Sequence, residues 1–189
     1  FLDSGALYRL TALAAMKAGV ALEDEAGVAA LAGQLPADFA GDRILLSGED
    51  VTEAIRGEAV GVNASKVAAL PAVRAALLDR QRAYRRFPGL VADGRDMASV
   101  VFPEAAVKVF LTASAAARAE RRYKQLIAKG MPANMHALLQ DLQERDARDA
   151  RRSVAPLRQS DDAELVDTTE MGIEAAVAAA MAIVRRQSL

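Results

Sequence analysis

Phe1-Leu2-Asp3-Ser4-Gly5-Ala6-Leu7-Tyr8-Arg9 opens the 189-residue chain and decides its fold class. Two apolar residues run into Asp-Ser-Gly, and an alanine-rich helical pattern follows at once. That order reads as strand, tight turn and helix. Leu7, Leu10, Ala14 and Ala18 recur at helical spacing and Gly19 supplies a stop, so a helix is expected over 4–18. The turn brings backbone amides, the Ser4 hydroxyl and the Arg9 guanidinium to a helix N-terminus, where an anion is favoured.

The same order returns further along. Leu90-Val91-Ala92 runs into Asp93-Gly94-Arg95-Asp96, and Val107 to Leu111 is a β-branched run followed by a helix over 114–129, closed by Gly130. Glu164 to Asp167 forms a last strand and 173–187 a last helix. Helices are also expected over 23–35, 63–70, 72–87 and 135–152, with a break at Pro71. Such alternation predicts a parallel, doubly wound α/β sheet whose ligands sit beyond the carboxyl ends of the strands. Asp3-Ser4-Gly5 and Asp93-Gly94-Arg95-Asp96 both fall there. The texture differs only over 39–55, where Arg43-Ile44-Leu45-Leu46, Ser47-Gly48 and Val51 read as a β-hairpin in a small excursion.

Composition narrows the function. Hydrophobic residues make up 52% and charged residues 26%, which is globular rather than disordered composition. The 24 basic and 25 acidic residues leave a formal net charge of −1, which disfavours a protein that works by neutralising nucleic-acid phosphates. A local arginine cluster for a small phosphate ligand remains compatible with it. With no cysteine, disulfides, thiolate nucleophiles and Cys-ligated zinc are excluded, in keeping with a reducing compartment. The longest apolar run, Ala175 to Val184, has ten residues. A membrane span needs about 20, so the run reads as a core-facing helix.

Two constellations carry chemistry. Asp93-Gly94-Arg95-Asp96 places two carboxylates and a guanidinium in the turn after an expected buried strand. Arg95 suits a phosphate, and the acids suit a ligand edge or metal-bound water; the plain alternative is a turn closed by its own ion pair. In the segment from Arg145 to Arg152, Arg145, Asp149 and Arg152 stand at i, i+4 and i+7 and share one helix face. A solvated face laced with weak ion pairs would use Lys as readily, whereas Arg at every basic position favours a bidentate grip on phosphate. Arg118, Arg121 and Arg122 lie on the preceding helix, in a basic hairpin suited to closing over a polyphosphate or to lying solvated. Ser65 and Arg74, among Asn63, Lys66 and Gln81, read as polar helix surface, and so does His136, the only histidine. No Gly-x-x-x-x-Gly-Lys-Ser/Thr cradle occurs in the sequence.

In shared order and spacing these blocks resemble the bacterial cytidylate kinases, P-loop nucleoside monophosphate kinases. The likeness rests on Leu2 to Arg9, Ile55-Arg56 with Asn63-Ala64-Ser65, Pro71-Ala72-Val73-Arg74, and Asp93-Gly94-Arg95-Asp96 with Val100-Val101-Phe102-Pro103. Arg145-Asp146, Arg148-Asp149, Arg152 and Val154-Ala155-Pro156-Leu157 complete it. The resemblance implies a three-layer, parallel-sheet P-loop nucleoside monophosphate kinase fold. Its core would span 1–19, 63–117 and 153–189, its small monophosphate-binding insert 20–62, and its helical lid, with the arginine helix, 118–152. It implies transfer of the γ-phosphoryl group of ATP to CMP or dCMP with Mg²⁺, by a cytoplasmic monomer without nucleic-acid or membrane partners.

Residue by residue, the resemblance puts Ser4, Arg9, Arg95 and Arg152 at the acceptor phosphate, with Tyr8 and Asp93 in the same site. Ser65, Arg74 and Asp96 would read the cytosine edge, and Arg145 and Asp149 the sugar. Arg95, Arg145 and Arg152 would be catalytic, Arg121 and Arg122 would meet ATP, and no residue is assigned to a metal. The family's phosphate cradle precedes the Asp-Ser-Gly block by a couple of dozen residues. It is therefore expected ahead of Phe1, and a polypeptide starting at Phe1 is expected to be inactive. Ala98-Ser99 stand where the family shows Gly-Thr, a departure that bears on loop geometry. Two rival readings are a kinase of another small acceptor on this fold and a non-catalytic nucleotide-binding fragment.

Overall fold

In the computed structural model, which describes residues 1–187, β1 (Leu2–Asp3) passes straight into α1 (Ser4–Ala18). Asp3 is the N-cap, its carboxylate accepting a hydrogen bond from the Ala6 amide at 3.1 Å. The helix ends at Gly19, whose φ of 67° lets its amide turn back to the Ala15 and Met16 carbonyls. Leu7, Leu10, Ala12 and Ala15 are fully buried and make α1 the centre of its core. Each such leucine contributes about 2 kcal/mol of burial.

The described chain divides into two compact units, Phe1–Met97 with Arg152–Ala155, and Ala98–Arg151 with the chain from Pro156 onward. In the first, α1 packs on α2 (Glu25–Gly33) and α3 (Glu58–Val67), and α2 packs on α4 (Pro71–Arg82). Leu70 cannot cap α4, so Glu25 of α2 does so, accepting from the Ala72 amide at 2.7 Å. β1 pairs in parallel with β5 (Ala92–Asp93), Asp3 standing opposite Asp93. The two aspartate-bearing segments thus leave neighbouring strands side by side. The strand before the second of them is shorter and more open than expected: Val91 is 72% exposed, and among the described residues β5 pairs with β1 alone.

The excursion is a three-stranded antiparallel meander, β2 (Ala37–Ala40), β3 (Arg43–Leu46) and β4 (Glu49–Asp50). The expected hairpin is present between β3 and β4, over Ser47 and Gly48, both at positive φ. β2 had no signal, since Ala and Asp are poor strand formers. Tertiary bonds hold its approach: Arg80 of α4 donates to the Leu35 and Ala37 carbonyls.

In the second unit β6 (Val109–Thr112) pairs in parallel with β7 (Glu164–Asp167). α5 (Ala115–Ala128) and α6 (Met135–Arg151) form a hairpin over Ala119, Leu126 and Leu138. Arg118 clamps it by a two-point bond to the Asp146 carboxylate, which holds the Arg118 guanidinium above its ordinary pKa. α7 (Ile173–Gln187) corrects the reading of a core-facing helix. Only Ile183 is buried, while Ile173, Val177 and Met181 are 85%, 56% and 44% exposed. α7 packs on β7, and a two-stranded sheet offers a strip only about 10 Å wide, enough for one stripe of a helix. Parallel strands joined through helices nonetheless give the expected α/β class.

Candidate active site

The floor of the site is the junction of β1 with α1, where the expected tight turn is reduced to the Asp3 cap, and the turn after β5. A Cβ on Gly94 would lie 2.2 Å from Ser4 Oγ and 3.0 Å from Met97 Cγ, so only glycine lets the turn sit against the junction. Ser4 is buried there. The helix N-terminus behind it is less open to an anion than the sequence suggested, because Asp3 already takes the Ala6 amide. Asp93 and Arg95 lie on the exposed side of their turn, and Asp96 on the buried side. The backbone then makes a π-helical turn over Met97–Val101, which contains Ala98 and Ser99. Such turns have no signature in a single sequence and are frequent at functional sites.

Asp96 meets Arg74 of α4 in an ion pair whose side chains are only 5% and 7% exposed. Arg74 also donates to the Ala68 carbonyl at 2.9 Å, and its guanidinium carbon stands 5.6 Å from the centroid of the Tyr8 ring. A buried ion pair needs such further partners to offset desolvation. Burial pushes the Tyr8 phenol above its ordinary value; the Arg74 charge opposes this, Asp96 adds to it, and Arg152 opposes it weakly. Ser65, on α3, is buried as well. An acceptor and a planar donor side by side, dry and against an aromatic ring, are complementary to a flat ligand edge carrying both a donor and an acceptor.

The first unit therefore gathers Ser4, Tyr8, Arg74, Asp96 and Arg152. Arg9, in the same unit, donates to the Ile55 carbonyl at 2.7 Å and lies along Gly61. Arg145, Asp149, Arg121 and Arg122 belong to the second unit. There Asp149 is fully buried on α6, one turn after half-buried Arg145, while Arg152 follows the helix end. Arg121 donates to the Thr168 carbonyl and, at 3.2 Å each, to the Thr168 hydroxyl and the Met171 carbonyl. It is thereby anchored to the loop at the carboxyl end of β7, where Asp167, Thr169, Glu170 and Met171 line a shallow pocket. Arg122 is half-buried on α5.

Three buried polar residues escaped the sequence reading, among them Thr11, whose hydroxyl donates to the Leu7 carbonyl of its own helix. Gln81 is 1% exposed, although it was expected at a polar helix surface. Its spacing from Arg74 and Leu77 is the signal that would have placed it on the inner face of α4. Lys108 is buried too, its ammonium donating to the Pro103 carbonyl and to Asp162. His136 lies at the surface, as expected. Among the described residues no helix is long and apolar enough to cross a membrane, and no cluster of three His, Cys, Asp or Glu could hold a metal.

Parallel strands joined through helices fit the P-loop nucleoside monophosphate kinase class of phosphotransferases, and comparison with known proteins shows that class. The profile of the family described as Cytidylate kinase matches residues 1–186. A Cytidylate kinase of Chromobacterium violaceum is 58% identical over 177 residues, covering 94% of this chain and 80% of the relative. One of Pseudomonas aeruginosa is 59% identical over 182 residues, 93% of this chain and 80% of the relative. One of Cupriavidus necator is 56% identical over 177 residues, with 94% and 80% covered. The chain belongs to the cytidylate kinase family.

Proposed function

We propose that the protein transfers the γ-phosphoryl group of ATP to CMP or dCMP, giving ADP and CDP or dCDP. The observation that carries this reading is the buried Arg74–Asp96 pair against Tyr8, in a unit that also buries Ser65. Cytosine presents an exocyclic amino donor where uracil presents a carbonyl. Asp96 accepts from the amino group, while uracil would set a carbonyl against a carboxylate in a dry site. Unmet polar groups of this kind are how buried sites reject near-isosteres.

Phosphoryl transfer asks little covalent chemistry of the protein; it asks alignment of the two phosphates and stabilisation of charge. Ser4, Arg9, Arg95 and Arg152 serve the acceptor phosphate, Asp93 shares its turn, and Arg145 and Asp149 take the sugar. Arg95, Arg145 and Arg152 add charge stabilisation as the phosphoryl group moves, and Arg121 and Arg122 serve the donor nucleotide. Mg²⁺, when bound, neutralises phosphate charge. Such ions are held chiefly by substrate phosphates with one or two carboxylates. The excursion over 20–62 acts as the monophosphate-binding insert and the hairpin over 118–152 as the lid.

Two measurements test the reading: titration calorimetry of CMP, dCMP and UMP against the protein, and turnover of the same acceptors with ATP. CMP and dCMP should bind at least tenfold more tightly than UMP, the order expected for one unmet buried polar pair. Equal affinities and equal rates for CMP and UMP would sink it.

A further inference from the structure

On the inner face of α4, Arg74, Leu77 and Gln81 follow one another at helical spacing and are 7%, 0% and 1% exposed. Arg74 is accounted for by its partners; Gln81 is not. Its Nε2 reaches the Leu77 carbonyl only at 3.3 Å, and its Oε1 has no hydrogen-bond partner. The Tyr8 hydroxyl is buried without a partner as well. Gln81 is a side-chain neighbour of that hydroxyl, two turns along the helix face from the Arg74 guanidinium that stands over the Tyr8 ring. A buried carboxamide with unmet hydrogen bonds destabilises the fold, a cost that leucine at the same place would avoid. One bond, from the Tyr8 hydroxyl to Gln81 Oε1, would satisfy both orphaned atoms. Gln81 is too deep to meet a ligand itself, but Tyr8 is not idle: its ring lies under the Arg74 guanidinium that pairs with Asp96.

We propose that Gln81 is a positioning residue for base recognition, fixing the Tyr8 ring on which Arg74 rests as it pairs with Asp96. The inference rests on the base-reading role proposed above for Arg74 and Asp96. Gln81 thus belongs to the specificity of the acceptor site while touching neither substrate.

The test is titration of CMP, UMP and ribose 5-phosphate against the wild-type protein and the variants Q81M, Y8F, Q81M/Y8F and D96N, with thermal melting as a check of folding. Q81M should weaken CMP about tenfold, the value of one buried hydrogen bond, and narrow the CMP-to-UMP ratio. It should leave ribose 5-phosphate, which has no base, within about twofold. Y8F should likewise weaken CMP and narrow the CMP-to-UMP ratio, and the double variant should be no weaker than either single one, because both act along one path. Unchanged CMP affinity, or equal weakening of CMP and ribose 5-phosphate, overturns the inference. If Q81M does not fold, Y8F carries the test through the CMP-to-UMP ratio alone, and an unchanged ratio overturns the inference. D96N separates the two levels. Should it leave the CMP-to-UMP ratio intact, the base reading falls and this inference with it; should it abolish the ratio while Q81M preserves it, only the inference falls.

Discussion

Asp96 and Gly94 stand two residues apart and do opposite work. Asp96 turns inward to Arg74, while Gly94 is defined by the side chain it lacks, since its Cα faces Ser4. Replacing Gly94 with Ala would force a Cβ to within 2.2 Å of Ser4 Oγ. G94A should therefore cost about 1–3 kcal/mol in urea unfolding, the usual penalty of overpacking, and weaken CMP binding as Ser4 is displaced. At Asp96, D96N should weaken CMP but leave ATP affinity unchanged; a uniform loss for both would make the residue structural. In the sequence the two acids of Asp93-Gly94-Arg95-Asp96 looked alike. Burial of one and exposure of the other could not be read there, because it depends on α4 arriving opposite the turn.

The glycine-capped end of α1 was the best-read boundary, because caps are local chemistry. Gly19, at φ 67°, closes α1 at the residue expected. G19A should cost about 1 kcal/mol in thermal unfolding, the penalty of a Cβ in the left-handed region. Helix starts that depend on distant partners were read less well. α3 begins at Glu58, five residues before the expected start, and α4 ends at Arg82 rather than at residue 87. The hairpin of α5 and α6 is clasped by Arg118 and Asp146, whose side chains are 27% and 35% exposed. With solvent screening, R118M should cost no more than about 1 kcal/mol, yet speed amide exchange in both helices. Equal protection in the variant would show that the apolar core of the hairpin suffices.

Over the whole molecule, titration sets the limits of stability. Lys108 holds the Asp162 carboxyl below its ordinary 3.8, and Thr169 and Thr52 do the same for Asp167 and Asp50. The fold binds these protons more weakly than the unfolded chain does. Each group thus contributes stability that is full above pH 3.8 and is lost as pH falls below it. Tyr8 works at the other end: burial raises its phenol above 10.0, so its contribution is full below pH 10.0 and is lost as pH rises through the folded value. The urea midpoint should stay nearly flat between these limits and fall outside both. Y8F should remove part of the alkaline fall, and D162N part of the acid one. An alkaline limb unchanged in Y8F would mean that other groups set it.

The amino-acid order by itself determined the α/β class, the stop of α1 at Gly19, the passage from strand to helix at Phe1 to Arg9 and the acidic turn at Asp93 to Asp96. All of these rest on neighbours within a few positions, where capping, periodicity and turn chemistry act. The blocks spread over the chain were also enough to place it in its family. Only the tertiary structure decided that Ser65, Arg74, Asp96 and Gln81 are buried, that β2 exists, and that α7 is largely open to solvent. Those outcomes depend on what a segment packs against. The opening stretch shows both levels: its helix is written in its own residues, whereas the place of Ser4 is set by a missing side chain at Gly94 on a strand some ninety residues away.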